Sequence, residues 1–113
     1  MSYTDKMSEK VKIEFNRCVE YISNMDGVQQ IYLFGSYVYG EPSEHSDIDM
    51  YVIVRDDINA LNIMQSISRG LCDRKIALDV IADKDSDFEE LSAPNRATLQ
   101  RVVRDKGVLV YGQ

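Results

Sequence analysis

Apolar residues recur at helical spacing in two parts of the chain, with charged or polar residues between them. This pattern is typical of amphipathic helices that cover a core with one face. The first set consists of Val11, Phe15, Cys18, Val19 and Ile22. The second set consists of Ala60, Ile63, Met64, Ile67 and Leu71. Asp56 and Asp57 precede the second set and are candidate N-caps for that helix.

Three apolar runs lack helical spacing and are predicted to be strands. The first runs from Val28 to Phe34, after a turn at residues 24–27, and the second follows Asp47 and ends at Val54. The third is predicted from Lys75 to Ala82. In the second strand, apolar residues occupy both alternating sets of positions, which predicts a strand covered on both faces.

The connections between these strands predict a mixed sheet. Ten residues separate Ser36 from Asp47, too few for a crossover, so the first two strands are predicted to be antiparallel. The helix near residues 60–71 is long enough for a crossover and allows the third strand to lie parallel to the second. We therefore predict an α/β (α+β) fold, with a small mixed β-sheet flanked by helices, in a single domain over residues 1–113.

The last third of the chain begins with an acidic run from Asp83 to Glu90. This run predicts a solvated loop or a short helix with acids at its N-terminal end. A final helix is predicted from Pro94 to Lys106, with Leu99, Val102 and Val103 on its inner face. Gly107 is expected at the C′ position of that helix, and residues 108–111 are predicted to form a short edge strand.

Composition narrows the class of protein. The formal net charge of −6 argues against a protein that binds duplex nucleic acid, since such binding depends on Lys and Arg neutralising phosphates. No apolar stretch approaches about 18 residues, so no membrane association is expected and a cytoplasmic location is predicted. Cys18 and Cys72 have no metal-binding or disulfide spacing and are predicted to be reduced core thiols.

Asp47 and Asp49 are the first candidate functional residues. Side chains two apart on a strand point to the same side and lie roughly 6.6 Å apart along it. Two carboxylates about 6 Å apart repel each other by roughly 2.8 kcal/mol at an effective dielectric of about 20. A bound divalent cation would reverse the sign of that interaction, and ligands that are all oxygen suit Mg²⁺ or Mn²⁺.

Gly35 and Ser36, directly after the first strand, are candidate phosphate-binding residues. Glycine permits a turn that a Cβ atom would prevent, while Ser36 offers a hydroxyl and a backbone N–H. If a helix begins at Ser36, its positive end also faces a bound anion. The antiparallel arrangement of the first two strands would bring this turn next to the acidic pair.

Gly35-Ser36, ten residues and then Asp47-x-Asp49 resemble the signature of the DNA polymerase β-type nucleotidyltransferase superfamily, in particular its minimal nucleotidyltransferase (MNT) branch. The resemblance covers nearly the whole chain, and Asp79 matches the third acid of the family. Many members carry an arginine shortly after Gly-Ser, whereas residues 37–39 here are Tyr-Val-Tyr. The source of positive charge for the phosphates is therefore open, and the candidates near strand ends are Arg55, Arg74 and Lys75.

The resemblance implies a Mg²⁺-dependent enzyme that uses two metal ions and an NTP, with ATP expected. Asp47, Asp49 and Asp79 would be catalytic and hold the metal ions, with Gly35 and Ser36 binding the nucleotide. In the MNT branch the acceptor is often a helical HEPN toxin, which implies an antitoxin role, a HEPN-type protein partner, and either homo- or hetero-oligomers. Two alternatives stay open: a non-catalytic module that caps its partner, and an enzyme acting on a small molecule such as an aminoglycoside.

Overall fold

The structure of the chain is a computed structural model that describes residues 3–43 and 45–112. A short 3₁₀ helix, Tyr3–Lys6, precedes the main elements. The helices and strands follow in the order α1 Glu9–Ser23, β1 Val28–Phe34, α2 Ser36–Tyr39, β2 Ile48–Val54, α3 Ala60–Gly70, β3 Leu78–Lys84, α4 Asp85–Leu91, α5 Leu99–Lys106 and β4 Val108–Tyr111.

The four strands form one mixed sheet in the order β3-β2-β1-β4. β1 is antiparallel to both β2 and β4, and β2 is parallel to β3. The predicted strand directions are therefore confirmed, as is the fold class. Antiparallel pairing of β1 with β2 places the end of β1 beside the beginning of β2, which is where the candidate functional residues lie.

β2 is the centre of the molecule because both of its faces are buried. One set of side chains packs in the core that also contains Phe15 of α1 and Ile67 of α3. The other set, Tyr51 and Ile53, packs in a smaller core with Phe88 of α4. The set on the α1 side consists of Ile48, Met50, Val52 and Val54, as the alternation in the sequence predicted.

The third strand begins at Leu78 rather than at Lys75 as predicted. The backbone N–H of Lys75 donates to Glu14 Oε2 of α1 at 2.6 Å, so this residue is held by a helix and not by the sheet. The backbone reaches β2 only at Ala77, whose carbonyl accepts from the N–H of Ile48 at 2.8 Å. This tertiary contact explains why the strand begins three residues later in the chain than predicted.

The cap of α3 also differs from the prediction. Asn59 is the N-cap, and its side chain accepts from the N–H of Asn62 at 3.1 Å. Asp57 instead accepts from Arg55 Nε at 3.0 Å, and Asp56 accepts from the N–H of Ser86 at 2.9 Å. The two predicted caps are wrong because each has a partner that stabilises the β2–α3 connection.

The last helix, α5, begins at Leu99, not at Pro94, with Thr98 as its N-cap. Of the three apolar side chains predicted to lie on its inner face, Val103 is fully buried, whereas Leu99 and Val102 are 41% and 37% exposed. Gly107 follows the helix with φ −69°, so it is not a left-handed C′ residue. The chain turns there directly into β4, and a Cβ atom would come within 2.5 Å of the Val103 carbonyl oxygen.

Three further predictions can be compared with the structure. The acidic run forms the short helix α4 from Asp85 onward, with Asp85 and Asp87 in its first turn, whereas Asp83 still belongs to β3, which extends to Lys84. Cys18 is buried, but Cys72 is exposed, so the prediction of a core position is wrong for Cys72. Within the described residues, no helix has the length and apolar character needed to cross a membrane.

Candidate active site

The turn after β1 depends on Gly35. Its backbone has φ +82° and ψ −152°, a region that is essentially restricted to glycine. A Cβ atom at this position would lie 2.1 Å from Asp49 Oδ2. The absence of a side chain therefore allows the backbone to pass directly beside the Asp49 carboxylate.

The one-turn helix α2 starts immediately after that glycine. The Gly35 carbonyl accepts from the N–H groups of Val38 and Tyr39 at 3.0 and 3.1 Å. Ser36 is the first helical residue, so its own N–H is among the groups at a helix start that have no partner within the helix. A helix does begin at Ser36, at the end of the sheet where β2 begins with Ile48 and Asp49.

The register of the sheet aligns two of the three candidate acids. Asp49 is the pairing partner of Phe34 on β1 and of Asp79 on β3. Asp47 lies just before β2 and is exposed, Asp49 is half-buried and Asp79 is exposed. Asp79 is thus not buried among apolar residues of β3, which is an edge strand of the sheet.

The electrostatics of Asp49 reflect these neighbours. Burial raises the pKa of the Asp49 carboxyl, and the negative charges of Asp79 and Asp47 raise it further. Both effects disfavour the ionised form. Asp49 is therefore close enough to Asp47 and to Asp79 for its charge to be repelled by each of them, as the spacing of Asp47 and Asp49 predicted for that pair.

A divalent cation is the kind of group that this repulsion favours. Among residues 3–43 and 45–112, no three His, Cys, Asp or Glu side chains converge into a ready-made metal cluster. The donor set nevertheless consists of carboxylate oxygens, the ligands that Mg²⁺ prefers. The negative charges of Asp79 and Asp47, which add to the effect of burial on Asp49, are of the sign that a cation would neutralise, so the chemistry of the residues fits such an ion.

The structure separates the three basic residues that were candidates for phosphate binding. Arg55 follows the far end of β2, where it pairs with Asp57 and Asp26, so it is remote from Gly35. Arg74 donates from Nη1 to the Leu71 carbonyl at 3.1 Å. Lys75 lies at the near end of the sheet, where its side chain lines a cavity on the α1 side.

Lys6 is a residue next to the site that the sequence did not reveal. Its Nζ donates to the carbonyl of Gly40 at 3.0 Å and to that of Val38 at 3.4 Å, at the C-terminal end of α2. A cation at this end of a helix is favourable. These partners are 34 and 32 residues away in the chain, and no local pattern links residues so distant.

The two tyrosines near the turn have different environments. Tyr37 is 4% exposed and belongs to the core on the α1 side, whereas Tyr39 is 47% exposed. Tyr37 is therefore a packing residue, whereas Tyr39 is accessible beside the turn. His45 is exposed in the loop before β2, where its backbone N–H donates to Ser43 Oγ at 3.3 Å.

The fold and the placement of these residues define a class of protein. Residues 16–113 match the family model described as polymerase beta, nucleotidyltransferase. Because that match covers most of the sequence, the chain belongs to the polymerase β nucleotidyltransferase family. No curated protein sequence matches the chain.

Solved structures with the same fold include a Sulfolobus solfataricus protein assigned to the nucleotidyltransferases. It is 18% identical, with a TM-score of 0.58, over 95% of this chain and 90% of that one. A chain of a toxin–antitoxin complex with AMP-PNP is 20% identical, with a TM-score of 0.51, over 94% of this chain and 75% of that one. At these identities the likeness shows the shared fold.

A third solved structure is the complex of a tri-AMPylated HEPN toxin with its MNT antitoxin from Shewanella oneidensis. The match is 19% identical, with a TM-score of 0.47, over 90% of this chain and 72% of that one. A score this low adds nothing to the fold assignment.

Proposed function

We propose that the chain is a Mg²⁺-dependent nucleotidyltransferase that transfers AMP from ATP to a hydroxyl group of a protein partner. The observation that carries the proposal is the alignment of Phe34, Asp49 and Asp79 across three strands, with Gly35 directly beside the Asp49 carboxylate. This arrangement brings a phosphate-binding turn and the acids to one end of the sheet.

The roles of the residues follow from their chemistry. Ser36 would donate from its N–H and hydroxyl to oxygens of the triphosphate at the start of α2. Asp47, Asp49 and Asp79 would hold two Mg²⁺ ions, which when bound neutralise charge on the phosphates and stabilise an in-line displacement. All three proposed ligands are carboxylates, which suit a hard cation such as Mg²⁺ and include no nitrogen or sulfur ligand.

Asp79 is proposed to have a second role. It is exposed at the start of β3, so it is accessible to a group that approaches from outside. Its carboxylate would orient the acceptor hydroxyl and accept its proton. The acceptor oxygen then forms a bond to the α-phosphorus while the bond from that phosphorus to the bridging oxygen breaks, and pyrophosphate leaves.

The acceptor is proposed to be a HEPN-type toxin, for which this chain would be the antitoxin. The proposal is supported by the family and by the fold shared with a chain of a toxin–antitoxin complex that contains AMP-PNP. Three residues near the candidate site are also exposed, namely Tyr39, Asp47 and Asp79. Their exposure leaves room for a protein surface to reach the acids.

A second candidate function is a non-catalytic module that neutralises its partner by covering it. One observation favours it: the acids do not converge into a ready metal cluster within the described chain. This candidate requires the same partner but no nucleotide. The two functions therefore differ in whether the partner gains mass.

The deciding experiment mixes the chain with a HEPN-type protein, ATP and Mg²⁺ and weighs that protein by intact-mass spectrometry. We expect the wild type to add one or more AMP groups. Asp79→Asn should lower the rate at least about 10²-fold, the lower end for loss of acid–base assistance. Asp87→Asn in α4 is a matched control at another exposed acid and should keep the wild-type rate.

Two results would contradict different parts of the proposal, the first the enzyme itself and the second the role of Asp79. One is tight complex formation without any added mass from wild type with each of the four NTPs, which would favour the covering module. The other is unchanged AMP addition by Asp79→Asn, which would remove Asp79 from the site.

A further inference from the structure

A cavity of about 660 Å³ lies on the α1 side of the sheet, beside the loop that leads into β2. Its size falls in the range of about 300 to 1,000 Å³ typical of small-molecule sites. Ile48 lines it, and Ile48 packs in the core on the α1 side. Because successive strand residues point to opposite faces, the cavity is on the other face of the sheet from Asp49.

The lining of this cavity is basic although the whole chain is acidic. Lys6, Lys10 and Lys75 all line it, on a chain with a net charge of −6. No Asp or Glu is among the lining residues that the structure describes. Lys10 and Lys75 take part in none of the ion pairs between described residues, so neither ammonium group is held by a carboxylate at salt-bridge distance. The charge of Lys75 also acts on the Glu14 carboxylate, which lies outside the lining of this cavity.

The rest of the lining adds further features that suit an anion. The cavity includes Ser8, the N-cap of the 15-residue helix α1, and a helix start carries partial positive charge. Hydroxyl groups come from Ser43 and Ser46, whereas Val11 and Tyr37 provide apolar surface. Cations, hydroxyls and a limited apolar wall together are the features that bind a phosphorylated small molecule.

We propose that this cavity is a second anion site, which binds the polyphosphate group of a small molecule independently of Asp47, Asp49 and Asp79. Free polyphosphate and nucleoside polyphosphates share that chemistry. The site does not depend on the nucleotidyl transfer proposed above. It is linked to α2, because Lys6 lines the cavity and also bonds the carbonyls at the end of that helix.

The test uses the full chain with Asp47→Asn and Asp49→Asn, in EDTA, so that metal-dependent binding at the acids is absent. Tripolyphosphate and ATP are titrated separately by isothermal calorimetry at low ionic strength. We expect one saturable site. Adding Lys10→Gln and Lys75→Gln should weaken the affinity roughly tenfold or more, since each removes a charge-assisted contact.

The matched control is Lys12→Gln with Lys106→Gln, which changes the net charge equally but replaces no residue that lines the cavity. Its affinity should stay within about twofold of the parent, and Lys10→Arg with Lys75→Arg should also retain binding because the charge is kept. Equal affinities for the two probes would indicate recognition of the polyphosphate alone, and tighter ATP binding would add a nucleoside contact.

Three results would overturn the proposal. These are no saturable binding of either probe, an equal loss of affinity in the control pair, and full affinity in the variant with Lys10→Gln and Lys75→Gln. Circular dichroism of each variant verifies the fold, which exposed lysines are not expected to disturb.

Discussion

At the residue scale, Gly35 and Asp49 are in such close contact that the space between them holds the Asp49 carboxylate and no side chain at position 35. The glycine has φ +82°, and the position of its missing Cβ lies 2.1 Å from Asp49 Oδ2. The backbone conformation and the contact therefore favour glycine independently. Asp49 is the most constrained of the three acids, because it is half-buried between Phe34 and Asp79.

Gly35→Ala should lower the free energy of unfolding by about 1 to 3 kcal/mol, the cost of a strained backbone conformation. It should also displace the Asp49 carboxylate and weaken metal-dependent ATP binding. Chemical denaturation and calorimetry would measure the two effects.

Gly70→Ala is the matched control for this change. Gly70 is helical, and its added methyl group would meet the ring of Tyr21, a 39% exposed side chain that can rotate. We expect equal or slightly greater stability there, since alanine is favoured in helices. Equal effects at Gly35 and Gly70 would show that the close contact with Asp49 has no special role.

Asp49→Asn should stabilise the metal-free protein at neutral pH. The folded-state pKa of Asp49 is raised by burial and by Asp79 and Asp47, from an ordinary value of 3.8. Ionisation therefore costs more in the folded state, and stability is lost as the pH rises above 3.8 through the folded pKa. The gain in melting temperature over wild type should grow over that interval and be near zero below it.

Asp57→Asn provides a contrast of opposite sign in the same experiment. The hydrogen bond from Arg55 lowers the pKa of Asp57, so the loss of the Asp57 charge in this variant should reduce the melting temperature at neutral pH. Melting temperatures in EDTA from pH 3.5 to 8 would measure both. A loss of stability in Asp49→Asn at pH 7 would show that the carboxylate has a stabilising partner in place of repulsion.

At the level of elements, Glu14 joins α1 to the segment before β3. Its carboxylate accepts from Arg17 Nε at 2.7 Å and from the N–H of Lys75 at 2.6 Å. The side-chain hydrogen bond from Arg17, followed by the backbone bond from Lys75, lowers the pKa of Glu14 from 4.5 to about 2. This contact holds one wall of the basic cavity.

Glu14→Gln should destabilise the protein, and the difference from wild type should depend on pH. A lowered pKa contributes stability that is present above the unfolded value of 4.5 and is lost as the pH falls toward about 2. The difference in unfolding free energy should thus be constant above about pH 5 and shrink below pH 4.5. Urea denaturation at several pH values measures it, and a constant difference down to pH 2.5 would contradict the assignment.

The limits of an element could be predicted where a local sequence signal ends it, and could not where a tertiary contact or an unexpected cap does. β1 and β4 were predicted correctly because a glycine turn and a change in apolar pattern end them locally. The starts of β3 and α5 were not, since Glu14 binds the backbone of Lys75 and Thr98 caps a helix that Pro94 does not begin. Only a folded chain brings Glu14 within reach of Lys75.

The candidate site was predictable in part for the same reason. The two-residue spacing of Asp47 and Asp49 indicated that their carboxylates lie close together, and the charge of Asp47 does act on Asp49, although Asp47 itself comes just before β2. Gly35-Ser36 marks a turn. That Asp79 aligns with Asp49 depends on the register of β2 and β3, which the sequence alone did not determine. Lys6 had no signal at all, because its contacts lie more than 30 residues away.

At the scale of the whole molecule, the sheet separates two regions of opposite charge. The acids lie at the end of the sheet on the face of β2 opposite Ile48, and the basic cavity lies on the α1 side of that end. Helix α2 borders both, since Ser36 begins it and Tyr37 lines the cavity. This arrangement leaves Asp47 and Asp79 exposed, as the proposed transfer to a protein acceptor would require.

The most direct test of the account is the Mg²⁺-dependence of ATP binding, measured by isothermal calorimetry. For wild type, we expect Mg²⁺ to tighten ATP binding at least about tenfold relative to EDTA, because the ion neutralises acids that otherwise repel both one another and the triphosphate. The variant with Asp47→Asn and Asp49→Asn should bind ATP equally with Mg²⁺ and with EDTA. The same Mg²⁺-dependent gain in this variant would contradict the account and place the metal–nucleotide site elsewhere.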